Sequence, residues 1–394
     1  MHILIIEVAL TGHHAGYLER IAAGYMDAGH LVTASVLQRD VLHPAIERLK
    51  ARFGAAYNVA PIDNAKYDAA FGSRLGEPSR EFALRRLFGQ VYRSVNQASP
   101  VSYVFLPYLD YCLYALGLLG SPFGSTPWGG ICMRPSFHYH KYNVVAPKPK
   151  FAKVKQELFI RLLKNKHLKR VYTIDELLHR YVAEQRPNQL HRLAYVADPA
   201  ELKGDHTYET ARNLLKIPDE AIVILVYGAI DERKGLDALV EALGAPTTPT
   251  TVQLLMVGHQ SRAIEKFMQT VQVTKLVREK RVRVINKFVS EAEEQLVFAA
   301  ANAIWLGYRK HYGMSGVLII AASLSKPIIA CDNGLIGWYS KDIYNAAVIN
   351  INNQAQVQDC LQRLKERVKI EPPPQNEYFI KNHTWKNFIC SISE

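Results

Sequence analysis

The sequence predicts an α/β protein built from two doubly wound, Rossmann-like domains, and three observations carry that prediction. Apolar, strand-like runs flank an amphipathic helical stretch near the N-terminus, HILIIEVA (2–9) and LVTASVL (31–37). The same alternation restarts after a polar stretch, ELKGDHTYETARNLLKIPDE (201–220), with AIVILVYG, VQLLMVG, VRVINKFVS and AIWLGY. A chain of 394 residues with 48% hydrophobic content can bury a core in each of two domains. Strands that alternate with helices imply parallel sheets covered on both faces.

The polar stretch places the boundary near Glu201. The expected domains are 1–200 and 201–375. A C-terminal segment, 376–394, follows the proline break in PPPQNEYFIKNHTWKNFICSI and is expected to end in an aromatic helix crossing back to the first domain.

In the first domain, HILIIEVA is a strand, LTGHHAG a loop, and a helix runs from about Tyr17 to Ala28 with Gly29 as its stop. The loop has Gly12 and Gly16 without GxGxxG spacing, so it is not a dinucleotide fingerprint, yet two glycines allow a ligand close to the backbone. His13 and His14 either line a ligand crevice at the carboxyl ends of the strands or are exposed loop histidines. Arg39 to Ala98 reads as mostly helical in character. Strands resume at VSYVFLP, and GICMRPSFHYH carries Arg134, His138 and His140 from a buried strand into a loop. That is where an α/β enzyme displays reactive side chains, although a buried, hydrogen-bonded histidine is the commoner explanation of any one of them.

The most basic segment follows, with Lys148, Lys150, Lys153, Lys155, Arg161, Lys164, Lys166, Lys169 and Arg170. Phe151, Val154, Leu158, Leu162 and Leu163 recur within it at helical spacing, so one face is apolar and the other cationic. The apolar stripe either packs on the domain's own sheet, the preferred reading, or lies on an anionic membrane surface.

In the second domain, two βα loops are basic and directly precede a helix. One is DERKG, with Arg233 and Lys234. The other is RKHYGMSG, with Arg309, Lys310 and His311 before the run VLIIAASL; Lys326-Pro327 then opens the strand IIACD and a closing loop. Unpaired N–H groups at a helix start, beside fixed cations, suit a phosphate.

Composition narrows the chemistry further. A net charge of +12 and a pI near 9.3 call for an anionic partner, whether nucleic acid, a membrane face or a phosphorylated ligand. No nucleic-acid module signature occurs. Five cysteines without a CxxC pair indicate neither a zinc site nor a disulfide framework, and a reducing cytoplasm is expected. No apolar run approaches the roughly 20 residues of a membrane span, and MHILIIEVAL lacks signal-peptide features. GxxxxGK[ST], HExxH, GxSxG and Asp-x-Asp are absent, which argues against P-loop kinases, zincins, serine hydrolases and a metal-bound nucleotide sugar.

The segments VADPAEL, YGAIDERKGLDALVEAL, LLMVGH, NKFVSEAEEQLVFAAANAIWLGY and YGMSGVLIIAASLSKPIIACDNGLIG occur in this order. Together they resemble the retaining glycosyltransferases of the two-domain GT-B fold, the large bacterial group 1 and sucrose-synthase-like family that includes many polysaccharide-biosynthesis enzymes. The resemblance covers most of Tyr195 to Gly337, and more loosely TGHHAGYLERIAAGYMDAGH and the HTWKNF helix. It implies two Rossmann-like domains facing a cleft and a metal-independent, retaining transfer of a sugar from a nucleotide diphosphate sugar to a saccharide, lipid-linked or small-molecule acceptor.

By the same resemblance Lys234 and Arg233 are catalytic, neutralising the leaving diphosphate, and His138 contacts the sugar. Gly228, Phe288, Val289, Tyr308, His311, Gly313, Met314, Ser315, Gly316 and Val317 bind the donor. Gly12, His13, His14, Gly16, Arg134 and His140 border the acceptor. A cytoplasmic protein, peripheral on the inner membrane face, and no cofactor beyond the co-substrate are expected. Three positions depart from the family. Ala229 stands where an arginine is common, and Tyr312 and Ile320 stand at the two glutamates of the Glu-x7-Glu motif. The latter departure admits a second reading, a catalytically silent nucleotide-sugar-binding or scaffold protein.

Overall fold

The computed structural model of the chain describes residues 1–72, 76–202, 206–368 and 377–393. It divides into two compact units, residues 1–142, 147–197 and 385–394 in the first, and residues 143–146 and 198–384 in the second. The expected border at 375/376 and the proline break before it lie outside the described residues. The helix Glu377–Asn382 belongs to the second unit and the helix Trp385–Ser393 to the first.

The first unit holds strands β1 (His2–Ile6), β2 (Leu31–Leu37), β3 (Tyr57–Ile62), β4 (Tyr103–Leu106), β5 (Trp128–Cys132), β6 (Leu168–Thr173) and β7 (Leu193–Tyr195). They form one parallel sheet in the order β3-β2-β1-β4-β5-β6-β7. The second unit holds β8 (Ile222–Tyr227), β9 (Val252–Val257), β10 (Val282–Ile285), β11 (Ala303–Leu306), β12 (Ile328–Cys331) and β13 (Ala346–Ile349), parallel in the order β10-β9-β8-β11-β12-β13. β1, β5, β11 and β12 are buried along their whole length, which is why they read as unbroken apolar runs. Strand order reverses between β1 and β4 in one sheet and between β8 and β11 in the other. Crossover helices diverge there, so a crevice opens beyond the carboxyl ends of those strands.

Several local expectations are corrected. The first helix spans His13–Asp27 rather than starting near Tyr17, because Gly12, at φ +59°, turns the chain directly into it. His13, His14 and Gly16 therefore sit on the first turns of a helix. The stretch Arg39 to Ala98 is mostly helical as expected, and also contains β3, whose Pro61 is unlike a central strand; β3 is an edge strand, where a missing N–H is tolerated. Between β9 and β10 the chain forms two helices, Arg262–Phe267 and Val271–Arg278. GLIG, expected as a loop, opens the helix Gly334–Ser340, with Gly334 at φ +65° packed against Tyr312.

Candidate functional site

In the second unit the site is built where β8 and β11 diverge. β8 ends at Tyr227 and the chain passes Gly228, at φ +98°, into the 3-10 turn Glu232–Lys234. Asp231 caps that turn by accepting from the Arg233 N–H. Gly235, at φ +60°, then starts the helix Leu236–Gly244. A β-carbon at Gly235 would lie 2.3 Å from the Gly307 carbonyl oxygen, so glycine lets the turn close against the chain leaving β11. The Trp305 indole N–H donates to the Lys234 carbonyl at 2.7 Å and ties the same two segments together.

These constraints bury the Lys234 side chain, which is 7% exposed. Its Nζ donates to the Tyr227 carbonyl at 2.7 Å and to the Tyr308 hydroxyl at 2.6 Å, and lies 4.1 Å from the centre of the Tyr308 ring. An ammonium has three donors, so one N–H remains for a ligand. The Tyr227 hydroxyl bonds to Glu294, whose carboxyl group burial holds above its ordinary pKa. Arg233 is more than half exposed and pairs with Asp231 at 2.7 Å; hydrogen bonding to that carboxylate raises its pKa.

The loop after β11 forms the other part. The Arg309 N–H donates to the Arg233 carbonyl at 2.7 Å, while the Arg309 guanidinium is occupied by Asp237 at 2.5 and 2.6 Å. His311 packs edge-on to Tyr308, and its Nε2–H donates to the Met314 carbonyl at 3.1 Å. Burial lowers the His311 pKa against the opposing hydrogen bond to Met314, with Arg233 and Lys234 acting in the same direction as burial. The loop then enters the helix Gly316–Ser323 behind Ser315, where first-turn N–H groups point out of the helix. The combination of a buried ammonium, an exposed guanidinium and a helix start can hold a dense anion and stabilise charge that grows on it.

The structure brings Gly228, Arg233, Lys234, Tyr308, His311 and Met314 into one connected set, with Gly313, Ser315, Gly316 and Val317 continuing from it. Phe288 and Val289 are not in that set. They follow the edge strand β10, and Phe288, 81% exposed, stacks on His259 at 5.2 Å. Tyr227 and Glu294 were missed by sequence reasoning. Nothing marks them locally, since one ends an apolar strand and the other belongs to an ordinary acidic helix start.

In the first unit a second cluster lies where β1 and β4 diverge. Glu7, just beyond β1 and 1% exposed, accepts from the Ala9 N–H at 3.0 Å, from the Tyr111 hydroxyl at 3.5 Å and from His14 Nδ1 at 3.2 Å. His13 stacks on His14, and His14 meets Tyr108 edge-on at 4.7 Å. Burial, aided by His14 and Arg134, lowers the His13 pKa to about 4. The Arg134 guanidinium lies over the Tyr108 ring at 5.2 Å, and the Arg134 backbone N–H donates at 3.0 Å to Asp110, whose pKa burial raises to about 6. Gly12 and Gly16 have open space where a β-carbon would stand. Sequence reasoning missed Glu7, Tyr108, Asp110 and Tyr111. A carboxylate closing the run HILII was the one available signal.

His138 and His140 stand apart from this cluster. His140 is exposed. His138 is 1% exposed, with Nε2 2.9 Å from an Asp175 oxygen; Asp175 itself caps the helix Glu176–Gln185. In this structure His138 is therefore a core histidine held by a buried carboxylate.

Residues 221–367 match the model of a family described as glycosyl transferases group 1. No curated protein matches the chain by sequence. Among solved structures, the chain is similar to sucrose-phosphate synthase from Thermosynechococcus elongatus, with TM-score 0.68 and 17% identity over 100% of this chain and 97% of that one. It is similar to Anabaena HepE in complex with UDP and glucose, with TM-score 0.66 and 13% identity over 100% and 98%. WaaG, a glycosyltransferase involved in lipopolysaccharide biosynthesis, gives TM-score 0.60 and 13% identity over 100% and 95%. At these identities the likeness is one of fold, and the fold is of the GT-B type.

Proposed function

We propose, from the premise that residues 221–367 are a group 1 glycosyltransferase domain, that this protein transfers a sugar from a nucleotide diphosphate sugar to a saccharide, lipid-linked or small-molecule acceptor. The supporting observation is Lys234, buried at the β8/β11 switch point with one donor unspent. As the bond between the anomeric carbon and the diphosphate oxygen breaks, charge accumulates on the diphosphate. Lys234 and Arg233 neutralise it from one side, and the N–H groups of Gly313 to Val317 from the other, without need of a metal ion. The anomeric carbon bonds to the acceptor oxygen on the face the diphosphate leaves, the leaving oxygen takes the acceptor's proton, and configuration is retained. UDP is the base to test first, since HepE is described in complex with UDP and glucose. The Glu7–His14–Arg134 cluster is the acceptor side of this reading, and a lipid-linked acceptor would hold the protein at the inner membrane face.

The test is a thermal-shift screen of nucleoside diphosphates and their sugars, followed by turnover with whichever donor raises the melting temperature. Lys234→Ala should lower transfer and donor hydrolysis about 100-fold or more while leaving the fold intact; unchanged turnover would overturn the assignment. A second reading is favoured by one observation. Ile320, at a family glutamate position, is 7% exposed and packs into the helix core, so no carboxylate stands there. Donor binding without product against a broad acceptor panel would support a silent nucleotide-sugar-binding protein.

A further inference from the structure

We propose that Asp110 is a positioning residue of the acceptor side: its carboxylate fixes the loop after β5 so that the Arg134 guanidinium stands over Tyr108 with its donors kept for acceptor oxygens. This role presupposes that the Glu7–His14–Arg134 cluster serves the acceptor. Asp110 acts on that cluster through Arg134.

β4 ends at Leu106, and the chain then makes a single 3-10 turn, Leu109–Tyr111. The turn lies against β5 because Gly130 has no side chain. A β-carbon there would stand 2.3 Å from the Leu106 carbonyl oxygen and 2.9 Å from the Leu109 side chain. Leu109 is wholly buried, which anchors the turn from which Asp110 projects. One Asp110 oxygen accepts from the Met133 N–H at 2.8 Å and the other from the Arg134 N–H at 3.0 Å. One carboxylate thus holds two consecutive backbone donors just beyond the end of β5 by charge-assisted bonds.

The residues on either side of Asp110 belong to the same cluster. Tyr108 is buried, lies under the Arg134 guanidinium at 5.2 Å and meets His14 edge-on at 4.7 Å. The Tyr111 hydroxyl donates to Glu7 at 3.5 Å, and the two tyrosine rings touch edge-on at 4.9 Å. Asp110 therefore joins the loop that brings Arg134 to the turn that brings Tyr108 and Tyr111. The carboxylates of the cluster are occupied, Glu7 by Ala9, Tyr111 and His14, and Asp110 by Met133 and Arg134. Arg134 is exposed, and among the described residues its guanidinium forms no salt bridge, so its N–H donors remain for a ligand.

This arrangement is sensitive to acid. Burial pushes the Asp110 pKa up to about 6, against the two backbone N–H groups and the Arg134 charge. The other ionisable groups around it are Tyr108 and Cys112 on its own turn, Cys132 at the end of β5 and Tyr139 beyond Arg134, all raised by burial. On the helix Glu77–Ala98, packed against the turn, Glu81 accepts from the Tyr114 and Ala115 N–H groups. His13, which faces Arg134, is lowered to about 4. Protonation of Asp110 puts a hydrogen on one of the two accepting oxygens and removes one loop bond, so acceptor use should fall as pH drops through about 6.

The full chain is assayed with the nucleotide sugar that gives the largest thermal shift and the mono- or disaccharide it glycosylates best. Asp110→Asn offers one oxygen and one NH2 group to two N–H donors. It should raise the acceptor KM, lower kcat/KM for the acceptor about tenfold and speed amide exchange at Met133 and Arg134, with donor KM and nucleotide-induced thermal shift unchanged. Asp110→Glu keeps both oxygens and should recover part of the loss. Arg134→Gln should lose at least as much, and Asp110→Asn with Arg134→Gln no more than Arg134→Gln alone, because one residue acts through the other. The wild-type acceptor kcat/KM should show an acid limb near pH 6 that is absent from both single variants. Circular dichroism checks each fold; should Asp110→Asn not fold, Asp110→Glu and the Arg134→Gln pH profile carry the test. Additive losses, a lower melting temperature with unchanged acceptor KM, or an acid limb that persists in Arg134→Gln would overturn the proposal and leave sugar transfer standing. A wild type that transfers to no acceptor would overturn both.

Discussion

The Lys234 ammonium donates to the Tyr308 hydroxyl at 2.6 Å and lies over the same ring at 4.1 Å, so one tyrosine holds it by two kinds of contact. Removing the ammonium and trimming its holder should have different consequences. Lys234→Ala removes a charge that the leaving diphosphate needs and should lower turnover about 100- to 1,000-fold. Tyr308→Phe keeps the ring and loses one hydrogen bond, and should cost about 3- to 10-fold. Steady-state kinetics with the donor found by thermal shift separates the two, and equal losses would argue against a charge role for Lys234.

Gly258 and Gly12 both have positive φ, yet the two should respond differently to alanine. At Gly258, φ +137°, a β-carbon would stand 1.8 Å from the Gly228 carbonyl oxygen, whereas at Gly12, φ +59°, it meets open space. Gly258→Ala should destabilise by more than about 3 kcal/mol, through steric overlap added to backbone strain. Gly12→Ala should cost about 1 kcal/mol from strain alone. Urea denaturation of the two variants checks the order.

The buried Glu7 carboxylate serves three donors, and its replacements should separate stability from acceptor use. Glu7→Ala leaves Tyr111 and the Ala9 N–H without their acceptor and should cost about 2–4 kcal/mol. Glu7→Gln keeps one acceptor oxygen, so its stability loss should be smaller. Both should release His14 and lower acceptor-dependent turnover without changing the nucleotide-induced thermal shift. A changed shift would mean that this cluster acts on the donor.

Lys326 gives stability a pH dependence in the alkaline range. Burial, with the nearby Arg212 guanidinium, lowers its pKa from 10.5 to about 8. A base depressed on folding contributes stability that is present above the unfolded value, near 10.5, and is lost as pH falls through the folded value, near 8. The melting temperature of the wild type should therefore rise relative to Lys326→Met between pH 8 and 10.5. A flat difference across that range would show that the amine titrates normally.

How legible each site was depended on whether its residues are contiguous in sequence. DERKG and RKHYGMSG each place their basic residues next to a helix start, so local pattern was enough to suggest anion binding. The grouping of Glu7, His14, Tyr108, Tyr111 and Arg134 joins residues from three βα loops and could not be seen without the strand order. The burial of His138 was illegible for a related reason. Its loop position was read correctly, but whether a loop histidine faces out or in depends on a distant partner, here Asp175. Phe288 had a motif in its favour, yet β10 is the edge strand, and its loop stacks on His259.

By itself the sequence determined the fold class, the order of strands and helices over most of the chain, and the two basic loops of the second unit. Hydrophobic periodicity and helix-start chemistry are local properties, written in consecutive residues. Only the tertiary structure decided which side chains share an environment. It buried Lys234 against Tyr227 and Tyr308, put Glu7 beneath His14, and turned Phe151 and Val154 outward where periodicity had directed them inward. Burial and partner identity are set by long-range packing, which periodicity along the chain does not encode.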